Sequence, residues 1–296
     1  MTNFNLGVVL VLLSATGFAV IPFFAIEAYA GGATVTSLLV VRFLITTVFF
    51  FSYLFLTNKK PIVQDGQIKH LFLLGGVLYT IMSTCYFASV KYIPASLAVL
   101  LLYLYPVFVA VGSTLFEKES LTSKIILSIG FSLMGLFLVL GNSFNQINIY
   151  GVLLAVGASI SYSSYILLGN KVVKQIPVMI TSAYVSLFAF TSLFIIGLAT
   201  GNLYFNLTPG AWAAMGGVAV CSTIIPMFTF FKGMDLIGST RASILSMIEP
   251  LITISLSALL LSERLTFIQL FGGLIVLIGA VLVVLAPKPS KVSEAA

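Results

Sequence analysis

One histidine, one tryptophan and two cysteines stand among 296 residues, and only 7% of the chain is charged. Each scarcity excludes something. Neither Cys85 nor Cys221 belongs to a metal-ligand or redox spacing, and both lie in apolar runs, as small buried hydrophobes do. His70 has no second histidine to join, and neither a Gly-x-Ser-x-Gly elbow nor a pair of carboxylates at one depth appears. An intramembrane enzyme is therefore not expected, and neither is a metal or a cofactor. The chain has no Gly-x-x-x-x-Gly-Lys-Ser/Thr loop, so ATP is not expected as a driver. Its net charge of +6 forms no basic strip suited to nucleic acid.

Apolar residues take the place of charge. They make up 60% of the chain, where soluble domains carry about 45–50% apolar and about 25% charged residues. That much apolar surface needs lipid as its solvent. A helix crossing a bilayer takes about 20 mostly apolar residues, and ten such runs can be read, near 6–28, 34–56, 68–90, 95–116, 123–141, 149–169, 178–200, 210–232, 239–262 and 266–286. The runs are twice strand length and lack period-two alternation, so helices are expected rather than a barrel. No Lys or Arg precedes the first run, which argues against a cleaved signal peptide. Residues 288–296 read as a short disordered cytoplasmic tail.

The basic residues give the expected orientation. Lys59, Lys60, Lys69, Lys118, Lys124, Lys171, Lys174, Lys232, Arg241, Lys288 and Lys291 fall in the even-numbered loops or the C-terminus, and only Lys91 and Arg264 in the odd-numbered loops. Positive charge is retained on the cytoplasmic side, so both termini are expected there, in a multi-pass protein of the cell membrane. The compact length fits a bacterial chain.

The stretch "EKESLT" (117–122) returns as "LSERLT" (261–266), 144 positions later. At the same offset Ile93 meets Ile237, Ala98 meets Ala242, Pro106 meets Pro250, Glu119 meets Glu263, Thr122 meets Thr266, and Gly135 meets Gly279. "GVVL" (7–10) likewise meets "GVLL" (151–154). The chain therefore reads as two repeats, 1–144 and 145–287, of five spans each. An odd number of spans makes the second repeat enter the membrane from the opposite side, an architecture that recurs in transporters. Two inverted halves that exchange packings turn an inward-open cavity into an outward-open one. The fold class expected is an all-α membrane protein with ten transmembrane helices in two inverted five-helix repeats.

The stretches "YIPASLAVLLLYLYPVFVAVGSTLFEKESLT" (92–122) and "LIGSTRASILSMIEPLITISLSALLLSERLTFIQLFGGLIVLIGAVL" (236–282) resemble the EamA-type transporters of the drug/metabolite transporter superfamily. "VVRFL" (40–44) and "SISYSSYILLGNK" (159–171) are similar to that family's second and sixth spans. The first span departs from it, with "TGFAVIPFF" (16–24) where the family pattern has a Trp. The resemblance implies ten helices and a central cavity lined chiefly by spans one, three, four, six, eight and nine. It implies transport of small metabolites, often amino acids leaving the cell, without a cofactor.

Few polar groups sit at membrane depth, and each can be weighed against a packing role. Glu249 lies halfway along span nine before Pro250, where a carboxylate costs several kcal/mol unless it pairs, faces water or is protonated. It suits a site that exchanges protons or binds an ammonium group. Pro250 and its counterpart Pro106 each remove a helical donor and mark breaks at which gating could act. Tyr79, Ser83 and Tyr86 on span three, Tyr103 and Tyr105 on span four, Tyr162 and Tyr165 on span six, Phe18 on span one and Thr223 on span eight complete the expected substrate-binding set. Tyrosine rings with a few hydroxyls form walls suited to flat or amphipathic solutes. Individual serines at such depths more often join neighbouring helices.

Arg42, inside span two, could receive a substrate carboxylate, but a role in fixing helix packing is the expectation. Arg241 reads as a snorkelling anchor. Glu119 and Glu263 read as structural, ahead of Thr122 and Thr266 as helix caps. Spans five and ten, with "GFSLMGLFLVLG" (130–141) and "GGLIVLIGAVLVVL" (272–285), read as packing surfaces, with a weak dimer contact as one use. The expected partners are a small-molecule substrate and the bilayer, with the chain a monomer or weak homodimer. Transport of amino acids, aromatic ones in particular, comes first; export of cationic or amphipathic drugs is the alternative, and a channel or non-transporting receptor is remote.

Overall fold

A computed structural model of the chain describes residues 2–117, 121–140, 148–260 and 266–287, with the side chains of residues 96 and 117 also outside that set. Among the described residues every regular element is helical. Ten helices are long and apolar enough to cross a membrane: Asn3–Ala30, Val35–Leu56, Asp65–Ser89, Leu97–Phe116, Ser123–Leu140, Ile149–Val173, Val178–Thr200, Pro209–Ile237, Ser239–Leu260 and Phe267–Val284. These are spans one to ten. They carry large apolar side chains outward, with Phe267 91% and Phe55 83% exposed. Such surface is stable only against lipid.

Local chemistry sets the helix ends. The Thr34 and Thr208 hydroxyls accept from the backbone N–H three residues on, and Pro209 follows Thr208 where its missing N–H costs nothing. Thr266 forms a full capping box with Gln269, and the Thr122 hydroxyl accepts from Ile125 N at 3.4 Å. Both threonines act as the caps expected of them, whereas Glu119 and Glu263 lie outside the described residues, as does the tail 288–296. Span seven ends on Gly201 with φ +65°, a left-handed conformation that glycine adopts without strain.

Five of the ten spans are not continuous α-helices. Span one breaks at Val20 between Asn3–Ala19 and Ile21–Ala30. Span four breaks between Ala95–Leu102 and Tyr105–Glu117, and span nine between Ser239–Ser246 and Glu249–Leu260. The gaps at 103–104 and 247–248 are 144 positions apart, so the two repeats break at matching places. Spans three and eight stay helical but widen into π-turns over Leu73–Tyr79 and Val220–Ile224, segments that overlap at the same offset. Pro22, Pro106 and Pro250 each sit second in the helix that follows a break, where proline is tolerated.

The chain divides into two compact units, and each draws helices from both repeats. One comprises Met1–Val8, Ile81–Leu167 and Leu236–Ala296. Its most extensive packing is span five on span ten, where glycine lets the backbones approach. A Cβ at Gly135 would lie 2.5 Å from the Gly272 carbonyl oxygen, and one at Gly279 would lie 2.2 Å from Ser132 Oγ. Spans five and ten therefore use their glycine faces on one another within the chain. The hydroxyls of Ser113 and Thr240 join spans four and nine at 2.7 Å. Arg241 differs from the expected snorkelling anchor. It is only 4% exposed, because its guanidinium donates to the Ala286 and Pro287 carbonyls after span ten and lies 5.1 Å from the Phe4 ring centroid.

The second unit comprises Val9–Thr80 and Leu168–Asp235. Ala25, Ala28, Leu38, Val41, Ala214, Met215 and Val218 form its core between spans one, two and eight. Span two packs along span seven, tied where the Thr34 hydroxyl donates to the Asn202 carbonyl (2.7 Å) and Tyr204 N donates to Ser37 Oγ (2.7 Å). The π-turn of span three runs close to span seven, since a Cβ at Gly75 would lie 2.2 Å from the Val185 carbonyl oxygen.

Candidate substrate-binding residues at membrane depth

In the first unit, the breaks of spans four and nine collect five of the expected residues. Glu249 is the first residue of the helix after the span-nine break, and Tyr105 holds the matching place after the span-four break. At the span-nine break the backbone tightens, with Met247 N donating to the Ile244 carbonyl (3.1 Å) and Ile248 N to the Leu245 carbonyl (3.3 Å). Pro250 has no N–H to offer the Ser246 carbonyl four residues back, so that oxygen loses its helical donor.

The side chains around this break are aromatic and hydroxylic. The Tyr103 hydroxyl lies within hydrogen-bonding reach of the Glu249 side chain, and Tyr105 and Tyr162 both lie near the same pair. Tyr105 is 2% exposed. Its hydroxyl donates to the Ser243 carbonyl at 3.2 Å and lies in hydrogen-bonding reach of the Ser246 hydroxyl. Ring contacts continue the cluster, with Tyr103 to Tyr105 at 5.8 Å, Tyr105 to Tyr162 edge-on at 4.6 Å, and Tyr162 to Tyr165 stacked at 6.0 Å. A carboxylate with a freed carbonyl nearby and four tyrosines around it offers negative charge and π-faces together. That combination suits an ammonium group attached to an apolar or aromatic body.

Ser83 and Tyr86 belong to this unit as well. Ser83 is buried, and Tyr86 packs on the apolar cluster of Ile93, Leu97, Ala98 and Ala155. A separate groove of about 570 Å³ is lined by Cys85, Tyr92, Tyr150, Leu153 and Leu154. It contains none of the expected residues.

In the second unit, Thr223 lies in the π-turn of span eight and binds Arg42 of span two. Arg42 Nε donates to Thr223 Oγ1, and Arg42 Nη2 donates to the Ser222 carbonyl at 3.3 Å. Pro226 explains that second contact, because it cannot supply an N–H to the carbonyl four residues back. The Thr223 hydroxyl proton goes to the Val218 carbonyl at 2.9 Å, so the oxygen faces Arg42 as an acceptor. Tyr79 stands edge-on to Phe43 at 4.9 Å. Phe18 is half-buried, two residues before the break of span one.

Sequence reasoning missed Ser222 and Ser246. Each precedes a mid-span proline by four residues, a spacing that leaves its carbonyl without a helical donor. The π-turns had no comparable signal. "LLGGVLY" and "VCSTI" contain nothing that distinguishes a π-turn from an α-turn in isolation.

Comparison with known proteins agrees with this geometry. The model of the EamA-like transporter family matches the chain twice, over residues 5–141 and 149–285. An uncharacterized transporter of Bacillus subtilis, YcbK, is 27% identical over 286 residues, covering 90% of this chain and 88% of its own. An uncharacterized transporter of Archaeoglobus fulgidus is 29% identical over 216 residues, covering 71% and 75%. A solved crystal structure, 15% identical, superposes with a TM-score of 0.83 over 94% of this chain and 96% of its own, a likeness of fold. Ten spans in two matched repeats, broken at equivalent prolines, and two family matches that together cover nearly the whole chain make this protein a member of the EamA-like transporter family.

Proposed function

We propose that this transporter moves small organic metabolites across the cytoplasmic membrane by alternating access, with amino acids, aromatic ones in particular, as its substrates and export as its direction. The observation that carries the reading is the contact of Glu249 with Tyr103 at the break of span nine. A carboxyl group beside the freed Ser246 carbonyl offers oxygen acceptors to an ammonium, and Tyr105, Tyr162 and Tyr165 offer ring faces to an aromatic body. In this reading Glu249 binds or exchanges a proton, Tyr103 holds its carboxylate in place, and the breaks before Pro106 and Pro250 are the points that bend during access. Both termini face the cytoplasm, as the basic loops require. The chain works as a monomer or weak dimer.

The same cluster supports a second reading. Aromatic faces beside a carboxylate also accept cationic amphipaths, so drug export rests on the same observation.

Uptake into proteoliposomes of a labelled amino-acid panel, with and without a proton gradient, tests the proposal. Saturable flux of Phe or Trp is the expected outcome. No flux of any amino acid, with the protein shown to be folded, rejects the amino-acid assignment.

A further inference from the structure

We infer that Arg42, Ser222 and Thr223 form a binding subsite for the carboxylate of a small organic anion, within the second unit.

Arg42 is 6% exposed in an apolar span, and a guanidinium cannot shed its proton to relieve burial. Among the described residues no carboxylate lies within ion-pair distance of it, and its hydrogen bonds go only to Thr223 Oγ1 and the Ser222 carbonyl. A guanidinium has five N–H donors. Nη1 is left without a partner among the described residues, and Tyr29 is the titratable neighbour within electrostatic range. Arg241, by comparison, places one nitrogen on two carbonyls, those of Ala286 and Pro287. Arg42 keeps Nη1 open, with the Phe43 ring 5.3 Å from its Cζ and no carboxylate against its charge among the described residues.

A second, independent observation points the same way. Ser222 is fully buried, and its hydroxyl has no hydrogen-bond partner among the described residues. A helical serine usually relieves itself on the carbonyl four residues back, here Val218, which instead accepts from the Thr223 hydroxyl. The π-turn over Val220–Ile224 sets both hydroxyls on one widened stretch of backbone, a local geometry that recurs at functional sites. A buried cation with an open donor, and an orphaned hydroxyl on the residue whose carbonyl it contacts, together suit an anion. Thr223 is the positioning residue, since its proton is committed and its oxygen only orients Nε.

The size of the charge selects the ligand class. One guanidinium balances one negative charge, and its planar fork matches a carboxylate. The position matching Arg42 at the offset of 144 is Ser186, so this cation stands in one repeat only. This inference rests on the transport reading for the purpose of the anion, but not for its binding.

Binding can therefore be measured without flux. The full chain, purified in detergent, is titrated at fixed ionic strength with 3-phenylpropionate and L-phenylalanine, and with their neutral-carbonyl counterparts 3-phenylpropanamide and L-phenylalaninamide, following the thermal midpoint. The carboxylates should raise it saturably and the amides should not, and Arg42→Gln should abolish the difference. Ser222→Ala keeps the test open if Arg42→Gln does not fold. Removing an unsatisfied buried hydroxyl leaves the ligand-free midpoint unchanged or higher, while carboxylate binding weakens about tenfold, the scale of one charge-assisted hydrogen bond. Equal response to acids and amides, no response to either, or unaltered carboxylate affinity in Ser222→Ala overturns the subsite. Carboxylate binding without liposome flux upholds the subsite and counts against transport of these solutes. Flux without carboxylate preference does the reverse.

Discussion

The Ser159 hydroxyl of span six donates to the Leu102 carbonyl of span four at 2.9 Å. Leu102 is four residues before Pro106, so its carbonyl oxygen has no helical N–H to accept from. A serine on a neighbouring helix replaces the missing donor. The same rule governs Ser222, whose carbonyl lies four before Pro226 and takes Arg42, and Ser246, four before Pro250 beside Glu249. Mid-span prolines here create acceptors, and the surrounding side chains decide whether those acceptors serve packing or binding.

The Ser159 contact should behave as a repair. Ser159→Ala is expected to cost about 1 kcal/mol of stability, the range for a buried interhelical hydrogen bond. Pro106→Ala restores an N–H at position 106, so Ser159→Ala should cost less in that background. Thermal unfolding of the four proteins measures the coupling, and strict additivity would remove Ser159 from the role of substitute donor.

Glu249→Gln keeps the shape of the Tyr103 contact but removes the titratable carboxyl. Expression and thermal midpoint should hold, while flux falls or loses its dependence on pH. Proteoliposome uptake across a pH series reads this directly. Unchanged flux at every pH would take the carboxyl out of the mechanism.

The tyrosine rings make a claim about selectivity. Tyr162→Ala removes one wall of the cluster and one face from both Tyr105 and Tyr165. Aromatic solutes should lose uptake relative to aliphatic ones, measured as competition against one labelled substrate. Tyr105→Phe keeps the ring but gives up the hydrogen bond to the Ser243 carbonyl, so its selectivity should stay near that of the parent. An identical competition profile in Tyr162→Ala assigns the ring to packing.

Spans five and ten offer a test of close approach. A Cβ at Gly279 would meet Ser132 Oγ at 2.2 Å and the Ser128 carbonyl oxygen at 2.9 Å, so Gly279→Val has to push the helices apart. The expected loss is at least about 1–3 kcal/mol, the usual cost of overpacking. Gly130 lies in span five with nothing within 4 Å of its would-be Cβ, and Gly130→Ala should be neutral or stabilise by up to about 1 kcal/mol. A detergent melting curve for each variant separates the two, and similar midpoints would show that the contact is not tight.

Much of this architecture was legible in one dimension. Apolar runs of bilayer length set ten spans to within a few residues, because a membrane core accepts little else. Thr122 and Thr266 announced helix starts, since a cap is a local hydrogen bond. Pro106 and Pro250 marked the broken spans for an equally local reason, the missing N–H. The offset that pairs them revealed the repeat. Association across distance was not legible. Glu249 with Tyr103, and Arg42 with Thr223, are 146 and 181 positions apart in the chain, and no periodicity within one helix says which face meets which partner. The π-turns were hidden as well, because one extra residue per turn leaves composition unchanged. Arg42 shows the limit most clearly. Its burial cost was evident from its position in span two, but whether that charge was already neutralised depended on the side chains that folding brought to it. Tertiary packing brought two oxygens and no carboxylate among the described residues, and it left the Ser222 hydroxyl unsatisfied.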